Sequence, residues 1–198
     1  MLSAMSSDTR VAKIEVRSEV RARRNALTPL ERRRRRDGLT RQLTALIAET
    51  GARSVTAYAP LGSEPDTEGF LAWARASEVR VLLPVSLPGH RLAWAVDTGD
   101  RVNGLHGIPE PDGPRLEAAA AAAVDLMLIP ACAVDDRGTR LGWGLGYYDR
   151  ALEVITPRPP IFAVVDDDDL YPWLPREAHD IPVDGVVTAT SLRRFGTE

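Results

Sequence analysis

Leu126-Met-Leu-Ile129-Pro130 is the stretch that decides the architecture. Four large apolar residues stand in a row with no polar residue between them. A strand reads this way when both its faces are covered, which is the setting of a parallel sheet. Working outward, Ile161–Val165 and Val183–Thr188 are further short apolar strands. Upstream, Ser54–Ala59 and Val79–Leu83 read as strands, the second closed by Pro84. Arg91–Val96 alternates apolar and polar residues, as a half-exposed strand does. Helical segments fall between them. These are Thr67–Ser77, capped by Thr67, then Arg115–Ala123 with six alanines at 118–123, and Tyr147–Val154. Asn103–Pro114 is rich in Gly and Pro and reads as loop.

The N-terminal third reads as two helices. One runs from Thr9 to Ala26. The next opens with Thr28-Pro29-Leu30-Glu31, a capping box with Pro at the first helical position. Leu39, Leu43, Leu46 and Ile47 follow as one buried stripe, and Gly51 ends the helix. The order predicts an α/β fold, a three-layer α/β/α arrangement with a mostly parallel, Rossmann-like sheet. Ligands of such sheets gather at the carboxyl ends of the strands. Three segments are therefore expected near the site: Pro60–Thr67, Pro130–Asp149 and Asp166–Asp180.

The 198 residues suit a single domain, 1–198, with about 1–8 as a flexible tail. No apolar run approaches the roughly 20 residues that span a bilayer, and MLSAMSSDTR lacks a secretory apolar stretch. Cys132 alone makes no internal disulfide and no cysteine zinc site. A cytoplasmic monomer without a membrane partner is expected. Charge is segregated: residues 10–41 hold 12 basic and 4 acidic residues, and the remainder is acidic, for a net charge of −3. The Arg32–Arg36 run reads as a solvated helix face rather than a nucleic-acid patch, since no aromatics interleave it. One lysine, Lys13, stands against 24 arginines, an excess that reads as genomic bias.

Arg140-Leu-Gly-Trp-Gly-Leu-Gly-Tyr-Tyr-Asp-Arg150 carries the densest chemistry. Gly142, Gly144 and Gly146 alternate, so backbone can approach a ligand closely. A helix start just after them offers free N–H groups to an anion. Arg140 adds a forked cation suited to phosphate, and Asp149 a hard oxygen donor for Mg²⁺. Together they describe a nucleotide-phosphate site, with neither the dinucleotide nor the P-loop spacing.

This stretch resembles the RLGxGxGYYD hallmark of the 5-formyltetrahydrofolate cyclo-ligase family, with Trp143 and Leu145 at its variable places. Leu128–Gly138 is similar to that family's PGxxFDxxG, Gly107–Pro111 to its GIxxP, and Leu174–Asp184 to its VPxExHDxxVD. The resemblance implies ATP and Mg²⁺ as co-substrate and metal, and 5-formyltetrahydrofolate as the small-molecule substrate. It implies that Lys13 and Arg17, one helical turn apart, meet ATP phosphates together with the loop Arg140, Leu141, Gly142, Trp143, Gly144, Leu145, Gly146, Tyr147 and Tyr148. The folate would meet Leu61, Glu64, Asp66 (on the pterin), His106, Gly144, Gly146, Tyr147 and Tyr148. Asp149 and Asp180 would hold the metal, and Arg140 and Tyr148 would be catalytic. The reaction implied converts 5-formyltetrahydrofolate and ATP to 5,10-methenyltetrahydrofolate, ADP and phosphate through a phosphorylated imidate. Ala131, Val134 and Leu145 depart from the family pattern, and Asp166–Asp169 reads as a solvated acidic loop. Two other readings stay open: an ATP-dependent ligase or kinase of another N-formyl or carboxyl compound, and a non-catalytic nucleotide- or RNA-binding relative.

Overall fold

The computed structural model describes residues 2–177 and 180–196, without the side chains of residues 2–7 and of His106. Two long helices come first, α1 (Leu2–Asn25) and α2 (Pro29–Thr50). Then follow β1 (Ser54–Thr56), α3 (Glu68–Ala76), β2 (Arg80–Leu87), β3 (Arg91–Val96), β4 (Arg101–Asn103) and β5 (Pro109–Pro111). The second half holds β6 (Leu126–Pro130), β7 (Ala133–Asp135), β8 (Arg140–Leu141), α4 (Tyr147–Val154), β9 (Ile161–Val164), β10 (Leu170–Tyr171), β11 (Gly185–Val187) and β12 (Leu192–Arg194).

Seven strands form the central sheet in the order β12-β11-β9-β6-β1-β2-β3. The inner five are parallel, and β12 and β3 close the two edges antiparallel. Among the parallel strands the order is 2-1-3-4-5, the flavodoxin type of doubly wound sheet rather than the dinucleotide order. The order reverses between β1 and β6. The crevice outside those two carboxyl ends is where such sheets bind ligands.

Leu126–Ile129 is buried on both faces, as its composition requires. Leu126 and Leu128 face the layer of α2 and α3, against Leu39, Leu43, Phe70 and Leu71. Met127 and Ile129 face the opposite layer, against Leu152 of α4, Ile155 and Ala121. The three layers follow from that alternation. The Thr28 capping box and the left-handed Gly51 cap bound α2 as expected.

Several expectations change. Residues 2–8, read as a tail, are the opening turns of α1. Pro84 does not end β2. It sits opposite Trp94, whose backbone groups bond Leu116 instead, so the missing Pro84 N–H faces the side where pairing to β1 has already ended at Leu82. Asn103–Pro114 contains the β4–β5 hairpin. The six alanines form a 3₁₀ segment, Ala118–Ala123, while Leu116 bridges to Trp94.

The acidic run Asp166–Asp169 is not a solvated loop. Asp169 is fully buried and takes the Arg24 Nε at 2.8 Å and the Arg23 Nη2 at 2.6 Å. Asp166, whose pKa burial raises, lies 3.6 Å from the Arg24 Nε and 3.4 Å from Arg35 Nη1. Arg24, itself 1% exposed, also donates to the carbonyls of Ala131 and Cys132 just past β6. This cluster clamps the C-terminal turn of α1 onto the carboxyl ends of β6 and β9. Further along α1, Val16 and Val20 pack on Cys132, Leu141 and Leu174. The N-terminal half of α1 is thereby carried across the site. The Arg32–Arg36 face is partly committed too: Arg32 donates to the carbonyls of Arg24 and Leu27, and Arg35 pairs with Asp168 at 2.7 Å.

Candidate active site

The β7–β8 hairpin returns the chain to the crevice between β1 and β6. Asp135 fixes its turn by accepting from the N–H groups of Arg137 and Thr139 and, across the chain, of Leu174. Arg140 thus begins β8 as a nearly buried cation, and the glycine loop follows. Gly144 (φ 97°) and Gly146 (φ 71°) require glycine for their backbone conformation alone. Gly146 caps α4 in the left-handed region, and Arg150 one turn on bonds the carbonyls of Leu145 and Gly146. Arg17 reaches down from α1 and donates to the Gly142 carbonyl at 2.8 Å.

The loop separates two cavities that share its residues. On one side lies an apolar pocket lined by Tyr58, Leu61, Leu83, Pro84, Pro130, Trp143, Tyr147 and Tyr148. Its polar groups are few. Glu64 enters with an oxygen on the Leu61 N–H at 3.0 Å, and burial pushes its pKa up to about 7. The Tyr148 hydroxyl is buried with no hydrogen-bond partner among the described residues, and burial raises its pKa. Tyr148 packs edge-on against Trp94, and Tyr147 against His90. An apolar, aromatic slot with a few converging polar groups suits a flat heterocycle.

On the other side is a cationic cavity of about 630 Å³, lined by Arg10, Lys13, Ile14, Arg17, Arg140, Gly142, Gly144 and Gly146. Asp149, Glu177 and Asp180 line it as well. Lys13 Nζ sits 2.8 Å from both Glu177 Oε2 and Asp180 Oδ2. Burial alone would lower the Lys13 pKa, but these two partners outweigh it and the net shift is upward. Arg140 is ion-paired with Asp149. Its Nε is buried and unpartnered among the described residues.

The structure therefore brings together most residues expected at the site, in two groups. Lys13, Arg17 and Asp180 line the cationic cavity; Leu61, Glu64, Tyr147 and Tyr148 line the apolar pocket; Arg140, Gly142, Trp143, Gly144, Gly146 and Asp149 touch both. Leu141 is buried, packs with Val20 and Cys132, and also lines the cationic cavity. Leu145 is 59% exposed at the pocket rim.

Asp66 does not join the pocket. Its Oδ1 accepts the Glu68 N–H at 2.9 Å and so caps α3, and the residue lines a separate cavity beside Arg32 and Arg35. Thr67, expected to cap, instead donates its hydroxyl to the Tyr58 carbonyl. The side chain of His106 and all of His179 lie outside what is described. Sequence reasoning did not single out Tyr58, Arg24 or Glu177. Glu177 stood inside the quoted Leu174–Asp184 motif, and its position three residues before Asp180 was the available signal.

Asp149 and Asp180 both offer carboxylate oxygens to one cavity. That fits Mg²⁺, which keeps water and takes one or two carboxylates plus phosphate oxygens.

A family model described as the 5-formyltetrahydrofolate cyclo-ligase family matches residues 9–189. The chain belongs to that family. Among curated relatives, a 5-formyltetrahydrofolate cyclo-ligase of Mycolicibacterium smegmatis is 39% identical over 145 residues, covering 69% of this chain and 73% of the relative. One from Escherichia coli K12 is 28% identical over 180 residues, covering 87% and 98%. The NMR structure of an Aquifex aeolicus 5,10-methenyltetrahydrofolate synthetase superposes with a TM-score of 0.79 at 31% identity, covering 94% of each chain. A synthetase structure from Mycoplasma pneumoniae, 19% identical, shares the fold with a TM-score of 0.72. As a cyclo-ligase family member, the chain has its glycine loop where the doubly wound sheet places a ligand site. No helix among the described residues is long and apolar enough to cross a membrane.

Proposed function

We propose that this chain catalyses the ATP-dependent cyclisation of 5-formyltetrahydrofolate to 5,10-methenyltetrahydrofolate, with release of ADP and phosphate. One observation carries the reading: a single glycine loop, with Arg140 at its root, is the shared wall of an aromatic slot and a cationic cavity. Two substrates seated in those cavities would meet across a wall in which three of the five loop residues, Gly142, Gly144 and Gly146, carry no side chain.

The chemistry explains the need for both. A formamide oxygen is a poor leaving group. Its attack on the γ-phosphorus expels ADP and leaves a phosphorylated imidate. N10 then adds to the imidate carbon and loses its proton, and the former formyl oxygen departs with phosphate. The protein's task in such a transfer is to position the reactants and neutralise charge. Lys13 and Arg17 hold the phosphate chain from α1. Arg140 lies between the cavities, and its unpartnered Nε offers a donor to the transferring phosphoryl group. Tyr148 presents a protonated hydroxyl to the folate side, and Glu64 anchors the donor groups of the pterin. Asp149 and Asp180 would hold Mg²⁺, which when bound supplies further charge neutralisation on the phosphates.

The experiment is direct. Purified protein with 5-formyltetrahydrofolate and Mg-ATP should develop methenyl absorbance, and Arg140→Ala should lose it while remaining folded. Wild-type protein that gives no signal, yet releases ADP with another N-formyl or carboxyl compound, would move the substrate assignment to that compound.

A further inference from the structure

The cationic cavity takes one wall from a single face of α1. Arg10, Lys13, Ile14 and Arg17 stand there at i, i+3, i+4 and i+7, so the face runs about 10 Å along the helix axis. Three of the cavity's four cations are already engaged. Arg17 donates to the Gly142 carbonyl at 2.8 Å, Lys13 lies 2.8 Å from both Glu177 and Asp180, and Arg140 is paired with Asp149. Arg10 is exposed and makes no hydrogen bond or ion pair among the described residues. The lining sets Arg10, Lys13, Arg17 and Arg140 against Asp149, Glu177 and Asp180. Without Arg10 those charges would balance, so Arg10 supplies the net positive charge of the lining.

Resting on the nucleotide reading above, we propose that Arg10 is a further nucleotide-binding residue, the one that takes the α-phosphate. The order of groups along α1 gives the register. The reacting γ-phosphate must lie at the glycine loop, because the formyl oxygen reaches it from the apolar pocket on the loop's other side. Arg17 is the α1 cation at that end: a Cβ placed on Gly144 would lie 3.3 Å from its guanidinium carbon. A phosphate chain running from the loop along α1 passes Arg17 first, Lys13 about one turn later and Arg10 last. The β-phosphate then falls at Lys13 and the α-phosphate at Arg10. A planar fork of N–H donors suits a phosphate's oxygens, and at Arg10 no existing ion pair has to break first. The α-phosphate is common to ATP and ADP, so this contact holds both nucleotides equally and does not touch the group being transferred.

The test is calorimetric binding of Mg-ATP and, separately, of Mg-ADP to the full-length protein. Arg10→Gln removes the charge and the fork. It should weaken both nucleotides by the same factor, about tenfold, the low end for a hydrogen bond between charged groups. Arg10→Lys keeps the charge and should recover both affinities to within about threefold of wild type. Arg33→Gln removes the same charge from an exposed arginine of α2 that does not line the cavity, and should change neither. A field acting at a distance would instead weaken the more highly charged ATP more than ADP. Calorimetric stoichiometry reports the folded fraction separately from the Kd, so partial unfolding cannot imitate the result. Suppose wild type binds both nucleotides. An Arg10→Gln variant that binds them unchanged, losses that differ by more than about threefold, no recovery in Arg10→Lys, or an equal loss in Arg33→Gln would each overturn this inference alone. If wild type binds neither nucleotide, the functional reading falls and this inference with it.

Discussion

Arg24→Ala should cost the protein stability and nucleotide affinity together. Arg24 is 1% exposed and Asp169 is fully buried, with Nε to Oδ2 at 2.8 Å. Removing one member of such a pair strands the other charge in the interior, which typically costs about 3–5 kcal/mol. Three features place this site within that range. Asp169 keeps Arg23 at 2.6 Å, which softens the loss. Asp166 loses its buried neighbour, which adds to it. The carbonyls of Ala131 and Cys132 lose their guanidinium donor, which adds again. We expect about 3–4 kcal/mol in urea denaturation, or a melting temperature lower by roughly 6–16 °C for a chain of this size. Asp169→Asn should cost similarly, and the double variant should cost less than the sum of the two. Function should follow because the clamp holds the turn of α1 that lies 11 residues beyond Lys13. Below its new melting point, Arg24→Ala should therefore bind Mg-ATP more weakly. A loss under about 1 kcal/mol would refute the clamp, and a full loss of stability with unchanged ATP affinity would refute its link to Lys13.

Glu64→Gln should remove a pH dependence. Burial raises the Glu64 pKa to about 7, so the folded state binds a proton that the unfolded chain releases near 4.5. Its contribution to stability is therefore present below about pH 4.5 and is lost as pH rises toward 7. Relative to wild type, the Gln variant should gain roughly 1–3 kcal/mol between pH 5 and pH 8 in denaturant titrations, and a constant difference across that window would contradict it. The same variant should bind 5-formyltetrahydrofolate at least about tenfold more weakly at pH 8, by direct titration. Lys13→Arg should raise the Kd for Mg-ATP about tenfold, because a planar fork cannot sit between two carboxylates 2.8 Å away as a compact ammonium does; unchanged affinity would make the lone lysine a compositional accident. Gly146→Ala should lower stability by about 1–2 kcal/mol and turnover by more, since φ is 71° and the new Cβ would lie 2.7 Å from Arg150 Nη1.

The sheet was readable because burial on both faces leaves an unambiguous mark. Leu126–Ile129 could be nothing but an inner strand, and the helix stripe Leu39–Ile47 fixed one covering layer. The strand order was not readable: nothing local in Ser54–Thr56 says that it will lie between β2 and β6. β2 was cut short because Pro84 looks like a terminator. Only the pairing of Trp94 with Leu116 makes the missing N–H harmless. The hairpin at Arg101–Pro111 was hidden by prolines at both ends of a strand only three residues long. At the site, the motif pointed to the loop that walls both cavities, while Asp66 took the capping role expected of Thr67. Asx and Thr residues next to each other can both cap a helix, and which one does depends on whether the Thr67 hydroxyl has the Tyr58 carbonyl in reach.

Charge shows how far local reading can mislead. An arginine-rich segment beside an acidic remainder reads, residue by residue, as two solvated surfaces. In the folded chain they are two halves of one interface. Arg23, Arg24 and Arg35 take Asp166, Asp168 and Asp169, and Lys13 takes Glu177 and Asp180. The acids that would repel a phosphate are thus neutralised at the end of α1 away from the glycine loop. At the loop end the cations are still largely buried but their carboxylates are more open: Lys13 pairs with partners 14% and 39% exposed, and Arg140 with an Asp149 that is 37% exposed. Buried pairs are difficult to break and exposed ones exchange readily. The same complementary charge pattern therefore does two jobs along one helix. It anchors where it is dry, and it leaves carboxylates partly open to water where it lines the cationic cavity.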